Sequence, residues 1–150
     1  MGLFTGFEIS GSGLTAQRLR LDVIADNIAN AETTRSGEVD PAGRPLPYRR
    51  RRVIFETRSS DFASVLKGSK AAEGRGVRVK AIEADPRPFP VVYNPDHPDA
   101  DARGYVRMPN VNIIEEMVDL ISASRAYEAN VTALNATKEM MIRALEIGRR

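Results

Sequence analysis

Apolar residues recur at alternating steps of four and three along the last third of the chain. The positions on this repeat are Ile113, Met117, Leu120, Ser124, Tyr127, Val131, Leu134, Lys138, Met141 and Leu145, and eight of the ten are apolar. A repeat of this kind is typical of a coiled-coil face. We therefore expect one long C-terminal helix with an apolar seam that it cannot bury by itself.

A weaker form of the same repeat begins near the N-terminus. Its members are Phe7, Leu14, Leu21 and Ile28, with Ile24 on the same side, which predicts a second amphipathic helix. Gly11 and Gly13 lie early in this segment, and glycine disfavours a helix interior by about 1 kcal/mol relative to alanine. We therefore expect these two glycines to loosen or interrupt the helix near its start.

The prolines are sorted by position. All nine lie between Pro41 and Pro109, and long stretches on either side contain neither proline nor glycine. Because both residues oppose a helix interior, this distribution predicts two helices that bracket a turn-rich middle. The expected organisation is a discontinuous helical core domain of residues 1–36 and 110–150, with a small β-rich extension at 37–109.

Four short segments of the middle have the composition of strands. They are residues 53–55, 76–81, 91–93 and 104–107, and the second alternates apolar and basic side chains as a half-buried strand does. Residues 67–76 are small, charged and glycine-bearing, which predicts a mobile loop. The expected fold class is mainly α with a small β extension, in which the long N- and C-terminal helices pair as a coiled-coil-like hairpin around the turn-rich β segment.

The C-terminal helix has a recognisable start. Asn112 is followed three residues later by Glu115, a spacing that resembles a capping box. Glu115, Glu116 and Asp119 then place negative charge in the first turns, which complements the helix dipole. We expect the helix to begin directly after Asn112.

Composition narrows the chemistry that the chain can perform. It contains no cysteine and one histidine, and its formal net charge is +2 at pH 7. The lack of cysteine excludes disulfides, thiolate metal sites and cysteine nucleophiles. We expect no catalytic residues, no cofactor and no small-molecule ligand, so the sequence predicts a protein that is not an enzyme.

The single histidine, His97, stands among Asp96, Asp99 and Asp101, a set that offers metal ligands. An EF-hand loop beginning at Asp96 would need glycine where Asp101 stands and glutamate where Arg107 stands. We expect instead a turn in which side chains bind backbone amides, and no metal.

The sharpest charge feature is the run Arg49, Arg50, Arg51 and Arg52. Such a run can grip phosphates, as in a basic nucleic-acid-binding module. It can equally form salt bridges with acidic groups of a neighbouring subunit. No recognition-helix pattern or aromatic interleaving accompanies the run, so we favour the inter-subunit interpretation and expect no nucleic acid, with the nucleic-acid-binding module as the alternative.

The two apolar seams leave two interpretations open: the helices pair only with each other in an isolated hairpin, or they also pack against neighbouring chains. Two helices alone leave part of each stripe in water, and extended exposed seams usually mark an interface. We favour intermolecular packing. The expected assembly residues are Leu14, Leu21, Ile24, Ile28, Met117, Leu120, Tyr127, Val131, Leu134, Met141 and Leu145.

Two strings are more specific than their periodicity. Residues 22–35 read DVIADNIANAETTR, and residues 109–140 read PNVNIIEEMVDLISASRAYEANVTALNATKEM. They resemble the N- and C-terminal signatures of the axial proteins of the bacterial flagellum, the family of rod, hook and hook-associated proteins. Residues 47–56, PYRRRRVIFE, and residues 89–106, FPVVYNPDHPDADARGYV, resemble middle motifs of the proximal rod members of that family.

The resemblance implies a structural subunit of the proximal rod that assembles into a helical tube and transmits motor torque. Its implied partners are other copies of the chain, other flagellar rod proteins, and the proteins at the junction with the membrane ring and the export gate. The implied location is the periplasmic part of the basal body, reached through the flagellar type III export apparatus. We expect no cleaved signal peptide, because no basic residue precedes an apolar run at the N-terminus.

Overall fold

The computed structural model describes residues 3–41, 43–58 and 76–148. Helix α1 spans Leu3–Ala29 and helix α2 spans Ile113–Ile147. Between them the described residues form four strands: β1 Arg51–Thr57, β2 Val77–Ala84, β3 Val91–Tyr93 and β4 Tyr105–Arg107. Two long helices with a small β region between them confirm the expected fold class.

Helix α1 runs without a break through Gly6, Gly11 and Gly13, so the expected interruption near its start is wrong. A β-carbon added to Gly13 would lie 2.8 Å from Oδ1 of Asn130 on α2, so glycine at this position leaves room for the Asn130 side chain where the two helices pack. Packing against a second helix offsets the poor helix propensity of glycine, and no pattern within the first segment alone reveals that contact.

The end of α1 comes at Ala29, although the stretch without proline or glycine continues to residue 36. Nδ2 of Asn30 donates to the backbone oxygen of Asp26 at 2.9 Å, and the amide of Thr33 donates to the oxygen of Asn30 at 3.1 Å. Asparagine side chains compete in this way with helical hydrogen bonds. A helix can therefore end without either of the usual breakers.

Helix α2 begins where its cap predicts. Oδ1 of Asn112 accepts hydrogen bonds from the amides of Ile114 at 3.0 Å and Glu115 at 3.5 Å. These amides have no partner within the first helical turn, so the cap satisfies donors that would otherwise be left to water. The start expected directly after Asn112 is confirmed.

The chain forms two compact units, and both helices contribute to each. The first unit is Met1–Leu21, Val53–Ala81 and Ile121–Arg150, and the second is Asp22–Arg52 and Ile82–Leu120. The division expected from the sequence, a helical core of residues 1–36 and 110–150 against a β extension, stays a prediction.

Within the first unit, α1 and α2 run antiparallel. A β-carbon on Gly6 would lie 3.7 Å from Cγ2 of Thr137, whereas Gly13 faces Asn130. A later residue of α1 thus contacts an earlier residue of α2, as in an antiparallel pair. Ala123 is fully buried in this unit. The helices thus pair as the hairpin that the apolar seams predict.

The strands form two antiparallel ribbons. In the first, the amide of Asp85 donates to the oxygen of Arg50 at 2.8 Å and the amide of Arg58 donates to the oxygen of Gly76 at 3.1 Å, so β1 and β2 run in opposite directions. In the second, β3 pairs with β4 in the register Val91 with Arg107, Val92 with Val106 and Tyr93 with Tyr105. The predicted loop at 67–76 lies outside the described residues except for Gly76.

Alanine substitutions at the two early glycines should separate packing from helix propensity. At Gly11 an added β-carbon meets no atom within 4 Å, so Gly11→Ala should raise the free energy of unfolding by about 0.5–1 kcal/mol. At Gly13 the same gain is opposed by crowding against Asn130, which should cost about 1–3 kcal/mol. Urea unfolding followed by circular dichroism measures both values.

An Asn130→Ala background provides the control for this pair. Removing the crowding atom should let Gly13→Ala stabilise the protein as Gly11→Ala does. Equal stabilisation by both alanines in the unmodified chain would show that the close approach at Gly13 has no energetic consequence.

Candidate functional site: a buried polar junction and the exposed assembly surfaces

The second unit is organised around the side chain of Arg50. Its Nε donates to Oε1 of Glu116, its Nη1 lies 3.5 Å from Oδ2 of Asp85, and its Nη2 lies 3.3 Å from Oδ2 of Asp119. Glu116 is fully buried, with 0% of its surface exposed. Burial opposes the charge on Arg50, but the bond and the attraction to Glu116 raise the pKa of the guanidinium above its ordinary value. Arg50 therefore stays charged and compensates carboxylates that have lost their water.

Asn27 on α1 completes the coordination of the same carboxylate. Its Nδ2 donates to Oε2 of Glu116 and to the backbone oxygen of Arg51, both at 2.9 Å. Its Oδ1 accepts from the amide of Arg51 at 2.9 Å and from the hydroxyl of Tyr48 at 3.0 Å. Both amide protons and two acceptor positions of a nearly inaccessible side chain are thus used. One residue ties α1, α2 and β1 together.

A second buried amide, Asn110, ties the segment before α2 to the residues that flank β1 and β2. Its Oδ1 accepts from the amide of Arg50 at 2.8 Å, and its Nδ2 donates to the backbone oxygens of Asp85 at 3.3 Å and Arg87 at 3.0 Å. A buried amide that lost these bonds would carry an unsatisfied donor or acceptor, which costs about 1–3 kcal/mol. Asn110 therefore positions the chain just before α2 begins.

Asp85 is a buried carboxylate that remains ionised. Burial alone would raise the pKa of Asp85, but hydrogen bonds from the amide and the guanidinium of Arg87, both at 3.0 Å, together with the charge of Arg52, hold the pKa below its ordinary value. The carboxylate is 2% exposed. Its charge therefore stabilises the folded unit at neutral pH.

Tyr48 adds a protonated phenol to the junction. Burial, followed by the hydrogen bond and the negative charge of Asp26, raises the pKa of Tyr48 to about 12. The hydroxyl lies 3.1 Å from Oδ2 of Asp26 and 3.0 Å from Oδ1 of Asn27. Both neighbours are acceptors at these atoms, so the fold favours the form that keeps its proton.

The other three members of the arginine run, like Arg50, make contacts within the chain. Arg49 donates from Nη1 to the backbone oxygen of Asp85 at 2.9 Å and stacks 4.3 Å from the ring centre of Phe89. Nη1 of Arg51 lies 3.5 Å from Asp26, and Nε of Arg52 lies 3.9 Å from Asp85. The side chains of Arg51 and Arg52 remain about half exposed. Salt bridges from this run to a neighbouring subunit stay a prediction, and Arg51 and Arg52 are the members accessible for them.

The predicted assembly residues lie at different depths in a single chain. Ile24 is buried, whereas Met117 and Leu145 are exposed at 55% and 75%. The others are half-buried: Leu14, Leu21, Ile28, Leu120, Tyr127, Val131, Leu134 and Met141. Their role as an assembly surface stays a prediction.

The loop around His97 is the turn that its composition predicts. Nδ1 of His97 accepts from the amide of Asp99 at 3.1 Å, and Oδ1 of Asp101 accepts from the amides of Arg103 at 2.8 Å and Tyr105 at 2.9 Å. The amide of Tyr105 lowers the pKa of Asp101, and the hydrogen bond from Arg35 lowers that of Asp99. Among the described residues, no group of three or more His, Asp or Glu side chains is arranged to hold a metal ion.

Sequence reasoning missed the polar junction. Glu116 was expected to complement the helix dipole at the start of α2, but it is fully buried and bound to Arg50. Helical spacing offered a signal, because Asn27 follows the buried Val23 by four residues and Ala123 follows Glu116 by seven. A polar residue on a buried face needs a polar partner. The periodicity could have shown that such a partner is needed, but not which residue provides it.

Comparison with known proteins gives a consistent result at both ends of the chain. Residues 7–35 match the family described as flagella basal body rod protein, and residues 102–147 match the family described as flagellar basal body rod FlgEFG protein C-terminal. Within the described part of the chain, neither helix combines the length and the apolarity needed to cross a membrane.

Relatives that align with nearly the whole chain show that the similarity includes its middle. A flagellar basal-body rod protein FlgC of Bacillus subtilis is 47% identical over 152 residues, covering 99% of this chain and 100% of the relative. Its counterparts are 49% identical in Borreliella burgdorferi, over 98% of both chains, and 41% identical in Salmonella typhimurium, over 99% of both chains.

Removing the buried carboxylate of the junction should strongly destabilise the protein. Glu116→Ala removes the carboxylate bound to Nε of Arg50 and leaves Asn27 with an unused buried donor, whereas Asp85 and Asp119 still compensate the charge of Arg50. The free energy of unfolding should therefore fall by about 1–3 kcal/mol. Glu115→Ala is the matched control, because the side chain of Glu115 is 49% exposed and makes only a 3.5 Å ion pair with Arg87. Its cost should be about 0–1 kcal/mol. Equal urea midpoints for the two variants would contradict a stabilising role for the junction.

The phenol of Tyr48 should make stability fall at alkaline pH. Folding raises its pKa from 10.0 to about 12, so its contribution is complete below pH 10 and is lost as the pH rises towards 12. Tyr48→Phe should therefore show a flatter decline of unfolding free energy across that interval. Urea unfolding at a series of pH values measures the slopes, with Tyr93→Phe as the control that should keep the steeper slope.

Proposed function

This chain belongs to the FlgC family of flagellar basal-body rod proteins, and from that premise we propose that it assembles with further copies of itself into a helical tube within the proximal rod. The family consists of structural rod proteins, so the chain is a structural protein and not an enzyme. The observation that carries the proposal is similarity along nearly the whole chain, with both helices and the β middle included.

The exposed apolar surface supports assembly by packing of the helices. Ile114, Met117 and Val118 on the first turns of α2, and Leu145 and Ile147 near its end, are all more than half exposed. Water disfavours such clusters, and each large aliphatic side chain removed from it contributes about 1.5–3 kcal/mol. A subunit whose neighbours cover these side chains gains stability that the single chain lacks.

A tube follows if the contacting surfaces differ on the two copies. Contacts between unlike surfaces do not pair off into closed dimers, and they continue as a helix when the rotation between copies does not close a ring. Interlocked helices along such a tube would give the stiffness needed to transmit torque from the motor. We therefore assign the seam of α1 and α2 to the interior of the tube.

Delivery and partners follow from the same premise. We propose export through the flagellar type III apparatus to a periplasmic position, where the chain contacts other rod proteins and the proteins at the junction with the membrane ring and the export gate. The absence of cysteine is compatible with a periplasmic position, because folding there then needs no disulfide formation.

The nucleic-acid-binding alternative finds no support. Arg49 and Arg50 bind partners within the chain, and Arg50 is held by buried carboxylates that a phosphate would have to displace. A formal net charge of +2 provides little attraction to a polyanion.

Deleting the gene in its host tests the proposal directly. Purified basal bodies imaged by electron microscopy should retain rings but lack a rod, and motility should return with the wild-type gene. Complete rods and swimming cells after deletion would overturn the proposal.

Complementation with Leu134→Asp tests the role of the seam. A carboxylate at this half-buried position should abolish rod assembly and leave export intact, because charge cannot be buried there without a partner. Asn135→Asp, at the exposed neighbouring position, adds the same charge and should support assembly. Basal-body images and an immunoblot of exported protein measure the two effects. Normal motility with Leu134→Asp would remove Leu134 from the assembly surface.

A further inference from the structure

Charge is distributed unequally between the two units of the chain. The first unit contains thirteen lysine and arginine residues and seven aspartate and glutamate residues, a formal net charge of +6 at pH 7. The second unit contains nine arginines, no lysine and thirteen aspartate and glutamate residues, a formal net charge of −4. The two values nearly cancel, so the overall charge of +2 conceals a chain with one positive and one negative unit.

Some carboxylates of the second unit are neutralised inside it, and others are not. Glu116, Asp85 and Asp99 each form an ion pair with an arginine of the same unit. Other carboxylates are exposed and have no ion pair within the described part of the chain, and four of them form a set that we name the unpaired carboxylates: Glu32, Glu38, Glu83 and Asp96. They provide negative charge that a cation outside the molecule can reach.

The first unit presents cations on the outer side of the β1–β2 ribbon. In β2 the exposed residues Arg78 and Lys80 alternate with half-buried valines, so both cations point away from the interior. Arg78 forms an ion pair with Glu56 of β1, and Arg58 follows Glu56 by two residues, which places Arg58 on the same side. We name Arg58, Arg78 and Lys80 the basic ribbon face. Glu56 neutralises Arg78, whereas Arg58 and Lys80 have no ion pair among the described residues.

We propose that the basic ribbon face of one copy contacts the unpaired carboxylates of the second unit in a neighbouring copy. Arg58 and Lys80 then gain carboxylate partners that the single chain does not supply. Complementary charge orients two such surfaces and disfavours the contact of like units. The inference rests on the proposed function, and it adds which unit of one copy meets which unit of the next.

The charge of the chain itself favours a second copy as the partner. A copy that contacts a neighbour through its first unit still has its own second unit available, so the same contact can be repeated along an assembly. The overall charge of +2 leaves little repulsion between whole copies. An anionic polymer would neutralise the ribbon face alone and leave the unpaired carboxylates without a cation.

A zero-length cross-link tests the contact in assembled basal bodies. A water-soluble carbodiimide joins a lysine amine to a carboxylate only where the two groups touch. Applied to purified basal bodies, it should give a product of twice the 16.5 kDa chain. Peptide mapping of that product by mass spectrometry should join Lys80 to one of the unpaired carboxylates. The same linked peptide should be absent from the product of single-chain mass, because the link joins two chains.

Two lysine substitutions serve as controls for this cross-link. Lys80→Arg keeps the positive charge but removes the reactive amine, so rods should form while the linked peptide disappears. Lys138→Arg changes another exposed lysine of the same unit and should leave the linked peptide unchanged.

Charge substitutions at Arg58 separate attraction from mere proximity. Arg58→Glu leaves the amine of Lys80 in place but opposes the contact, so it should lower the yield of the linked peptide about tenfold. Arg58→Lys keeps the charge and should keep the yield. Arg125→Glu makes the same change of net charge at an exposed position of α2 and should have little effect. An unchanged yield with Arg58→Glu, or an equal loss with Arg125→Glu, would contradict a contact at the ribbon face.

The remaining outcomes separate this inference from the proposed function. A link from Lys80 to the first unit of another copy, to a different protein or to an anionic polymer would overturn the proposed contact. Basal bodies that contain the chain but yield no linked Lys80 peptide would overturn it as well, and in all these cases the rod assignment stands. Absence of the chain from basal bodies would instead overturn the proposed function.

Discussion

The ion pair between Arg50 and Glu116 is the interaction on which the second unit depends. Glu116 is inaccessible to water, and a carboxylate in that position is tolerated only when its charge is compensated and its oxygen atoms are bound. Arg50 supplies the charge to one oxygen, and Asn27 donates to the other. Because these residues come from the chain directly before β1, from α2 and from α1, satisfying one carboxylate fixes three parts of the second unit against one another. The surrounding groups, Asp85 and Asn110 among them, extend the same bonds to the chain that precedes α2.

The distribution of polar and apolar groups is unusual for a protein that works alone. Among the described residues the largest fully buried side chain is that of Glu116, whereas Ile114, Val118 and Leu145 are mostly exposed. Directional bonds inside the second unit define its geometry, and much of the aliphatic surface is left uncovered. This division suits a subunit, because each copy holds its shape through its own polar contacts and leaves apolar surface for its neighbours.

The sequence predicted the elements better than it predicted their connections. Periodicity and the positions of proline were enough for the two helices, the cap at Asn112 and the strand at 91–93, because each is decided by local chemistry. The unbroken helix at Gly13 packs against Asn130 of α2, which lies far away in the sequence, so propensity alone gave the wrong expectation. The junction was missed for the same reason, since a buried glutamate and a surface glutamate look alike until the partner is known.

The long separation of the junction residues along the chain has a consequence for folding. Asn27 and Arg50 lie 89 and 66 residues before Glu116, so both contacts close long loops. Such closures are entropically costly and form late compared with local helical turns. A chain that ends before Glu116 lacks the one carboxylate that Asn27 and Arg50 both bind, so neither of these contacts can form. Completion of the second unit therefore waits until most of the polypeptide is present.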